Sequence, residues 1–194
     1  DAWLLARERD GSLAESRERW FPGSARSRTA TPLAALLAAC DERLALMPSV
    51  AEAKRESGAP LVDREREERV VQAGLEAVAV AAAAIGVAPP RRELVASFYR
   101  AQIDAGVAVQ RAVLAAPTSR ESARFDLESE LRPALLRIGD RMAWLLVRQA
   151  VQPADPGELR GRVAEALADH RLPTERVGAI SDALAAIASP RPAP

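Results

Sequence analysis

The sequence predicts an all-α protein: a single helical domain of about six helices. Apolar residues make up 48% of the 194-residue chain but aromatics only 4%, because much of the apolar content is alanine. Alanine is the best helix former, and small side chains let helices approach closely. Apolar residues recur at three- and four-residue spacing over long stretches, whereas β-branched alternation is sparse and there are only ten glycines. A chain of this length is one domain with enough residues to bury a core.

Residues 1–29 are polar, Arg-rich and interrupted by Gly11, Pro22 and Gly23, and read as an N-terminal extension or linker ahead of a helical domain over residues 30–189. Thr31-Pro32 is a helix start, with a hydroxyl cap and proline at the first helical position. Leu33, Leu36, Leu37, Cys40, Leu44 and Met47 follow at helical spacing. Pro48 kinks or restarts this helix, which stops near Ser57-Gly58. Ala59-Pro60-Leu61-Val62 is an extended connector, and Asp63 caps a second helix over 64–85 that Gly86 and Pro89-Pro90 terminate. A third helix spans 91–115. Its apolar stripe is interrupted by Gln102, Gly106 and Gln110, and amides on a buried stripe require a bonding partner or a polar ligand. A fourth runs over 125–151 with a kink near Pro133, and two shorter helices cover 156–169 and 174–188. Residues 190–194 read as a disordered tail.

Twenty-seven basic residues balance twenty-seven acidic ones, so no global field favours nucleic acid or a membrane surface. No apolar run reaches the roughly eighteen residues needed to span a bilayer. The single cysteine, Cys40, lies in an apolar run and reads as a buried structural thiol, and one cysteine forms no internal disulfide or cysteine-based metal cluster. The single histidine, His170, reads as a capping or surface residue next to a helix end. The expected chemistry therefore uses no metal, no cofactor and no histidine.

What remains is cations and amides. Arg43 and Lys54 are eleven residues apart, about three helical turns and about 16 Å, on one face. Small apolar residues lie between them, so two long side chains can close on a small dianion. Nine, twelve and thirteen residues after Lys54 come Asp63, Arg66 and Glu67. Taken singly, each is an ordinary solvated helix charge worth little. Gln110 alone is a satisfied core amide, and Arg141 alone snorkels at the edge of a buried stripe. Together they could line an anion-binding cleft.

The joint pattern is more specific. Leu46-Met47-Pro48-Ser49-Val50-Ala51-Glu52-Ala53-Lys54, then Pro60-Leu61-Val62-Asp63-Arg64-Glu65-Arg66-Glu67, then Tyr99-Arg100-Ala101-Gln102-Ile103 through Gln110, resembles the all-helical (type II) chorismate mutases, most of all their secreted gamma class. Leu131-Arg132-Pro133 through Arg141-Met142 is similar to the segment that follows in that class. The resemblance covers about residues 31–150. It implies a helical bundle that catalyses the Claisen rearrangement of chorismate to prephenate, in the phenylalanine and tyrosine branch of aromatic amino-acid biosynthesis. That reaction is unimolecular and needs no nucleophile, base or metal. The enzyme folds a flexible dianion into a chair and places donors at the breaking ether oxygen.

Carried over position by position, the resemblance implies that Arg43 and Arg141 hold the carboxylates, while Lys54 bonds the ether oxygen and a carboxylate. Gln110 would be the second donor to that oxygen, and Glu67 would take the ring hydroxyl, supported by Arg66 and Asp63. Three positions depart from the family pattern. Gly106 stands where Ser or Thr is usual and forfeits a hydroxyl near a carboxylate, Leu61 replaces Ile or Val, and Arg55 replaces an aromatic or polar residue. An amide at Gln110, where some relatives carry a glutamate that must be protonated, implies activity that persists at neutral and alkaline pH. The class resemblance also implies a periplasmic or secreted protein, although the chain carries no signal peptide and starts at Asp1, as a processed or trimmed product would. Chorismate is then the small-molecule partner, with nucleic acid and membrane excluded and a homodimer left open. The alternatives are an isochorismate-pyruvate lyase-like enzyme and a non-catalytic helical small-anion-binding domain.

Overall fold

A computed structural model gives the fold, described over residues 31–116, 125–150, 152 and 155–189. The readings for residues 1–29 and 190–194 lie outside this range. Seven α-helices occur among the described residues: α1 (Pro32–Ala45), α2 (Met47–Ser57), α3 (Arg64–Ile85), α4 (Arg92–Ala115), α5 (Arg132–Ala150), α6 (Pro156–Ala166) and α7 (Thr174–Ala188). A π-helical turn, Leu127–Leu131, leads into α5, and a 3-10 turn, Ala168–His170, follows α6. No strand occurs among the described residues. The all-helical expectation holds. The kinked first helix is two helices, divided at Leu46, just ahead of Pro48.

Local chemistry sets the boundaries. Thr31 Oγ1 accepts the Ala34 amide at 3.2 Å and Asp63 Oδ1 accepts the Arg66 amide at 3.0 Å, each capping its helix. Gly58 and Gly86 take left-handed φ of 70° and 76° at the ends of α2 and α3, where a residue with a Cβ would be strained. Ahead of α5, the Leu131 amide bonds Asp126 O and the Arg132 amide bonds Leu127 O, five residues back in each case. Pro133 has no amide, and its ring needs space from the carbonyl four residues earlier. A widened π turn supplies that space, so the kink expected at Pro133 takes this form.

In the packing, α5 lies against α1 and α3, and α4 lies against α2, α3 and α7, while α6 pairs with α7. Phe98, Leu36, Leu44, Met142, Leu146 and Ile180 are among the largest fully buried side chains. Phe98 and Tyr99 meet edge to face, with ring centroids 5.6 Å apart. The five helices α1 to α5 thus surround one interior region, and α6 and α7 buttress it from the far side of α4.

Candidate active site

That region holds a cavity of about 150 Å³. Arg43 from the last turn of α1, Lys54 of α2, Arg66 of α3 and Arg132 at the start of α5 line it, together with Gln110 of α4. Asp63, Glu67 and Asp140 are its carboxylates, and Met47, Val50, Val70, Ile103 and Leu135 are among its apolar walls. Four cations from four helices therefore face three carboxylates across a mostly apolar space. Of the residues singled out in the sequence, Arg43, Lys54, Asp63, Arg66, Glu67, Gly106 and Gln110 all reach this cavity.

Lys54 Nζ donates to Leu61 O at 2.8 Å, which ties the 59–62 connector to α2 and leaves two ammonium protons for a ligand. Burial pulls the Lys54 ammonium below its ordinary value. Arg66 adds to the shift, Glu67 and Asp63 oppose it, and Arg132 adds a smaller repulsion. Burial lowers the Arg66 guanidinium, and Arg132 beside it is the next cause. Burial also lowers Arg43. Guanidinium groups stay protonated regardless, so the site remains cationic and is short of anions to balance it. Tyr99, 5% exposed, donates to Gly139 O at 3.4 Å and is raised by burial, so it stays a neutral phenol on the cavity wall.

The two amides of α4 find sulfur partners. Gln102 Nε2 donates to Cys40 Sγ at 3.4 Å in the deep core, and Gln110 Nε2 donates to Met47 Sδ at 3.3 Å beside the cavity. The carbonyl oxygens of both are buried without a partner. Gly106 faces Met47, and a Cβ there would lie 2.9 Å from the thioether sulfur.

Arg141 is not brought to the cavity. Its side chain is half exposed and pairs with Glu42 of α1. The reason is helical phase. On α5 the cavity-lining positions include Arg132, Leu135, Leu136 and Gly139, one stripe at three- and four-residue spacing. Arg141 is nine residues after Arg132, about two and a half turns, and so points the opposite way. The cation that α5 contributes is Arg132, whose guanidinium pairs with Glu128 and whose Nε is buried with no partner. The sequence held a signal for it: Arg132 lies within a quoted family-like segment, immediately before the proline that forces the π turn. His170 ends the 3-10 turn, the helix-end position expected of it, without being a surface residue. Its side chain is 11% exposed, and Nε2 sits 2.7 Å from Asp41 Oδ1. The C-terminal half of α1 is consequently tied to three other elements: Cys40 by Gln102, Asp41 by His170, Glu42 by Arg141, while Arg43 lines the cavity.

Among the described residues, no group of three or more His, Cys, Asp and Glu is placed to hold a metal ion, and no helix is long and apolar enough to cross a membrane. No curated protein matches the chain. Solved structures do. A secreted chorismate mutase from Yersinia pestis superposes with a TM-score of 0.65 at 21% identity, over 77% of this chain and 94% of that one. A chorismate mutase from Burkholderia thailandensis gives 0.58 at 29% identity, over 81% and 97%. One from Burkholderia phymatum gives 0.63 at 22% identity, over 82% and 97%. The family model for chorismate mutase type II matches residues 34–111, which span α1 to most of α4 and carry every cavity cation except Arg132. Residues 34–111 thus match the chorismate mutase type II family, and the fold over the described residues is that of solved chorismate mutases.

Proposed function

We propose that the protein is a chorismate mutase converting chorismate to prephenate in the cavity among α1 to α5, with the chemistry supplied by position and charge alone. The observation that carries this reading is the convergence of Arg43, Lys54, Arg66 and Arg132 with Gln110 on one apolar-walled space, inside a domain of this family. Chorismate is a flexible dianion. Its two carboxylates find cations from two different helices, Arg43 of α1 and Arg132 of α5, and fixing both ends favours the folded chair over extended conformers. Arg132 takes the carboxylate role that the sequence reading gave to Arg141. As the ether bond breaks, negative charge grows on its oxygen. Lys54 and the Gln110 amide donate there, in surroundings dry enough to strengthen each bond. Glu67 accepts from the ring hydroxyl, while Asp63 and Arg66 hold the first turn of α3 that carries it. The fold likeness to a secreted mutase favours action outside the cytoplasm.

The test is incubation of purified protein with chorismate, followed by its ultraviolet absorbance with the product identified by NMR, beside a Lys54→Ala variant. Prephenate formed by the wild type and nearly abolished in the variant is the expected result. Pyruvate release from isochorismate, or a folded protein that binds chorismate and leaves it unchanged, would overturn it.

A further inference from the structure

Gln110 can present either end of its amide to the cavity, and only one end is a donor. Neighbours must decide which. Three observations identify the neighbour. Gln110 Nε2 lies 3.3 Å from Met47 Sδ, and Met47 is 3% exposed, so solvent does not compete for this contact. The Gln110 carbonyl oxygen has no partner at all, so nothing on that side holds the amide in place. The sulfur in turn occupies the space in front of Gly106, where an added Cβ would lie 2.9 Å from Sδ and 3.5 Å from Cγ.

We propose that Met47 is a positioning residue for Gln110: its thioether takes one of the two amide protons and so holds the amino end of Gln110 at the cavity, and Gly106 is the space that lets the sulfur reach it. A thioether accepts weakly and never donates. It therefore tolerates the amino end of the amide and repels the carbonyl end, which leaves the second N–H uncommitted and available to a ligand oxygen. A hydroxyl at position 106 would behave differently, because it can donate as well as accept and would be compatible with both amide orientations. Gly106 is thus half of a two-residue device rather than a simple loss of a binding group. The proposal deepens the mutase reading and rests on it for its kinetic consequence, though not for its geometry.

The experiment combines Met47→Leu, Gly106→Ser and Gln110→Leu with the double variant Met47→Leu/Gln110→Leu. Leucine keeps the apolar volume and removes the acceptor. Circular dichroism melting checks that each variant folds. In steady-state kinetics, Met47→Leu is expected to lower kcat by roughly three- to tenfold, the range of one ordinary hydrogen bond, with little change in KM. The same substitution in the Gln110→Leu background is expected to change nothing further. Gly106→Ser is expected to lower kcat because the sulfur must move. Independently of turnover, the Gln110 side-chain amide protons, assigned by their loss in Gln110→Leu, are expected to shift and exchange faster in Met47→Leu, while those of Gln102 stay put. Unchanged Gln110 amide resonances in Met47→Leu would overturn the proposal whether or not the protein is active. So would an equal kinetic loss with and without Gln110, or a gain from Gly106→Ser. Absence of wild-type turnover would instead count against the mutase reading and leave the NMR arm to decide the geometry.

Discussion

Arg132→Ala and Arg141→Ala make the sharpest contrast available in this chain. The two arginines lie on opposite faces of one helix, and family likeness alone does not choose between them. Arg132 lines the cavity, neighbours Lys54 and Arg66 closely enough to lower both, and has a buried Nε without a partner. Truncating it removes one charge-assisted hydrogen bond to a substrate carboxylate, worth about 1.5–3 kcal/mol, or roughly tenfold to a hundredfold in kcat/KM. Some repulsion among the cavity cations is relieved at the same time, so the fold itself should not suffer. Arg141 forms a half-exposed pair with Glu42, and such pairs contribute about 0–1 kcal/mol. Its loss should lower kcat/KM by no more than about fivefold, acting only through the turn of α1 that carries Arg43. Initial rates of chorismate consumption over a range of concentrations give both parameters, and thermal melting shows whether either variant is misfolded. If Arg141→Ala is the more damaging of two equally stable variants, the assignment by helical phase is wrong.

Other expectations concern pH, packing and reactivity. Because the folded Lys54 ammonium lies below its ordinary 10.5, kcat/KM should stay level through neutral pH and then fall before an exposed lysine would titrate. Stability should move oppositely: in the window between the folded value and 10.5 the unfolded chain holds the extra proton, so this lysine's destabilisation of the ligand-free fold fades as pH rises. A Tm advantage of Lys54→Met over wild type that narrows with increasing pH would show it, and one that widens would contradict the sign. Gly74→Ala places a Cβ 2.5 Å from the Tyr99 ring, so it should destabilise by about 1–3 kcal/mol, whereas Gly161→Ala and Gly178→Ala, with open space at the same position, should each stabilise by about 0.5–1 kcal/mol. Melting curves that rank the three differently would refute the packing argument. The Cys40 thiol, fully buried and pushed up to about 12 chiefly by desolvation, should resist a maleimide in the native protein and react once urea unfolds it. Rapid native labelling would mean that the core around α1 opens.

Much of this was legible in the sequence because it depends on local rules. Thr31, Asp63 and Asp155 cap as short polar residues do, Gly58 and Gly86 end helices where a left-handed residue is needed, and alanine-rich periodicity specifies helix. Seven of the eight residues singled out for the site, carried over from the family resemblance, reach one cavity. The eighth shows the limit. Arg132 and Arg141 both lie in the segment that resembles the family, on opposite faces of α5, and the likeness says that a cation comes from this segment without saying which of the two meets the cavity. Only the docking of α5 between α1 and α3 separates them. The pairing of His170 was hidden for a similar reason: its partner Asp41 lies far away in sequence, and nothing near His170 announces it. Met47 read as plain core, since a thioether gives no sign that an amide will be brought against it.

The electrostatics of the cavity and the composition of the chain are two consequences of one design. A site that works by holding a dianion must gather cations that repel one another, and here each of four helices contributes one. Desolvation is the leading cause of the lowered values at Arg43, Lys54 and Arg66, and Arg132 worsens matters for the last two. The cavity carboxylates offset that cost only in part: Glu67 and Asp63 oppose the shift at Lys54 and Asp63 opposes it at Arg66, but they are fewer than the cations and desolvation still leads. The rest of the fold must therefore hold the helices rigidly at close range, and small residues such as Ala39, Ala51, Ala81, Ala82, Ala105 and Ala143, nearly inaccessible to solvent, allow that approach. In the proposed reaction, substrate carboxylates would supply the missing negative charge, and growing charge on the ether oxygen would meet donors that have already been desolvated and oriented. The donors need not reorganise as the bond breaks, and this is the form of catalysis open to a reaction that transfers no proton and forms no bond to the protein.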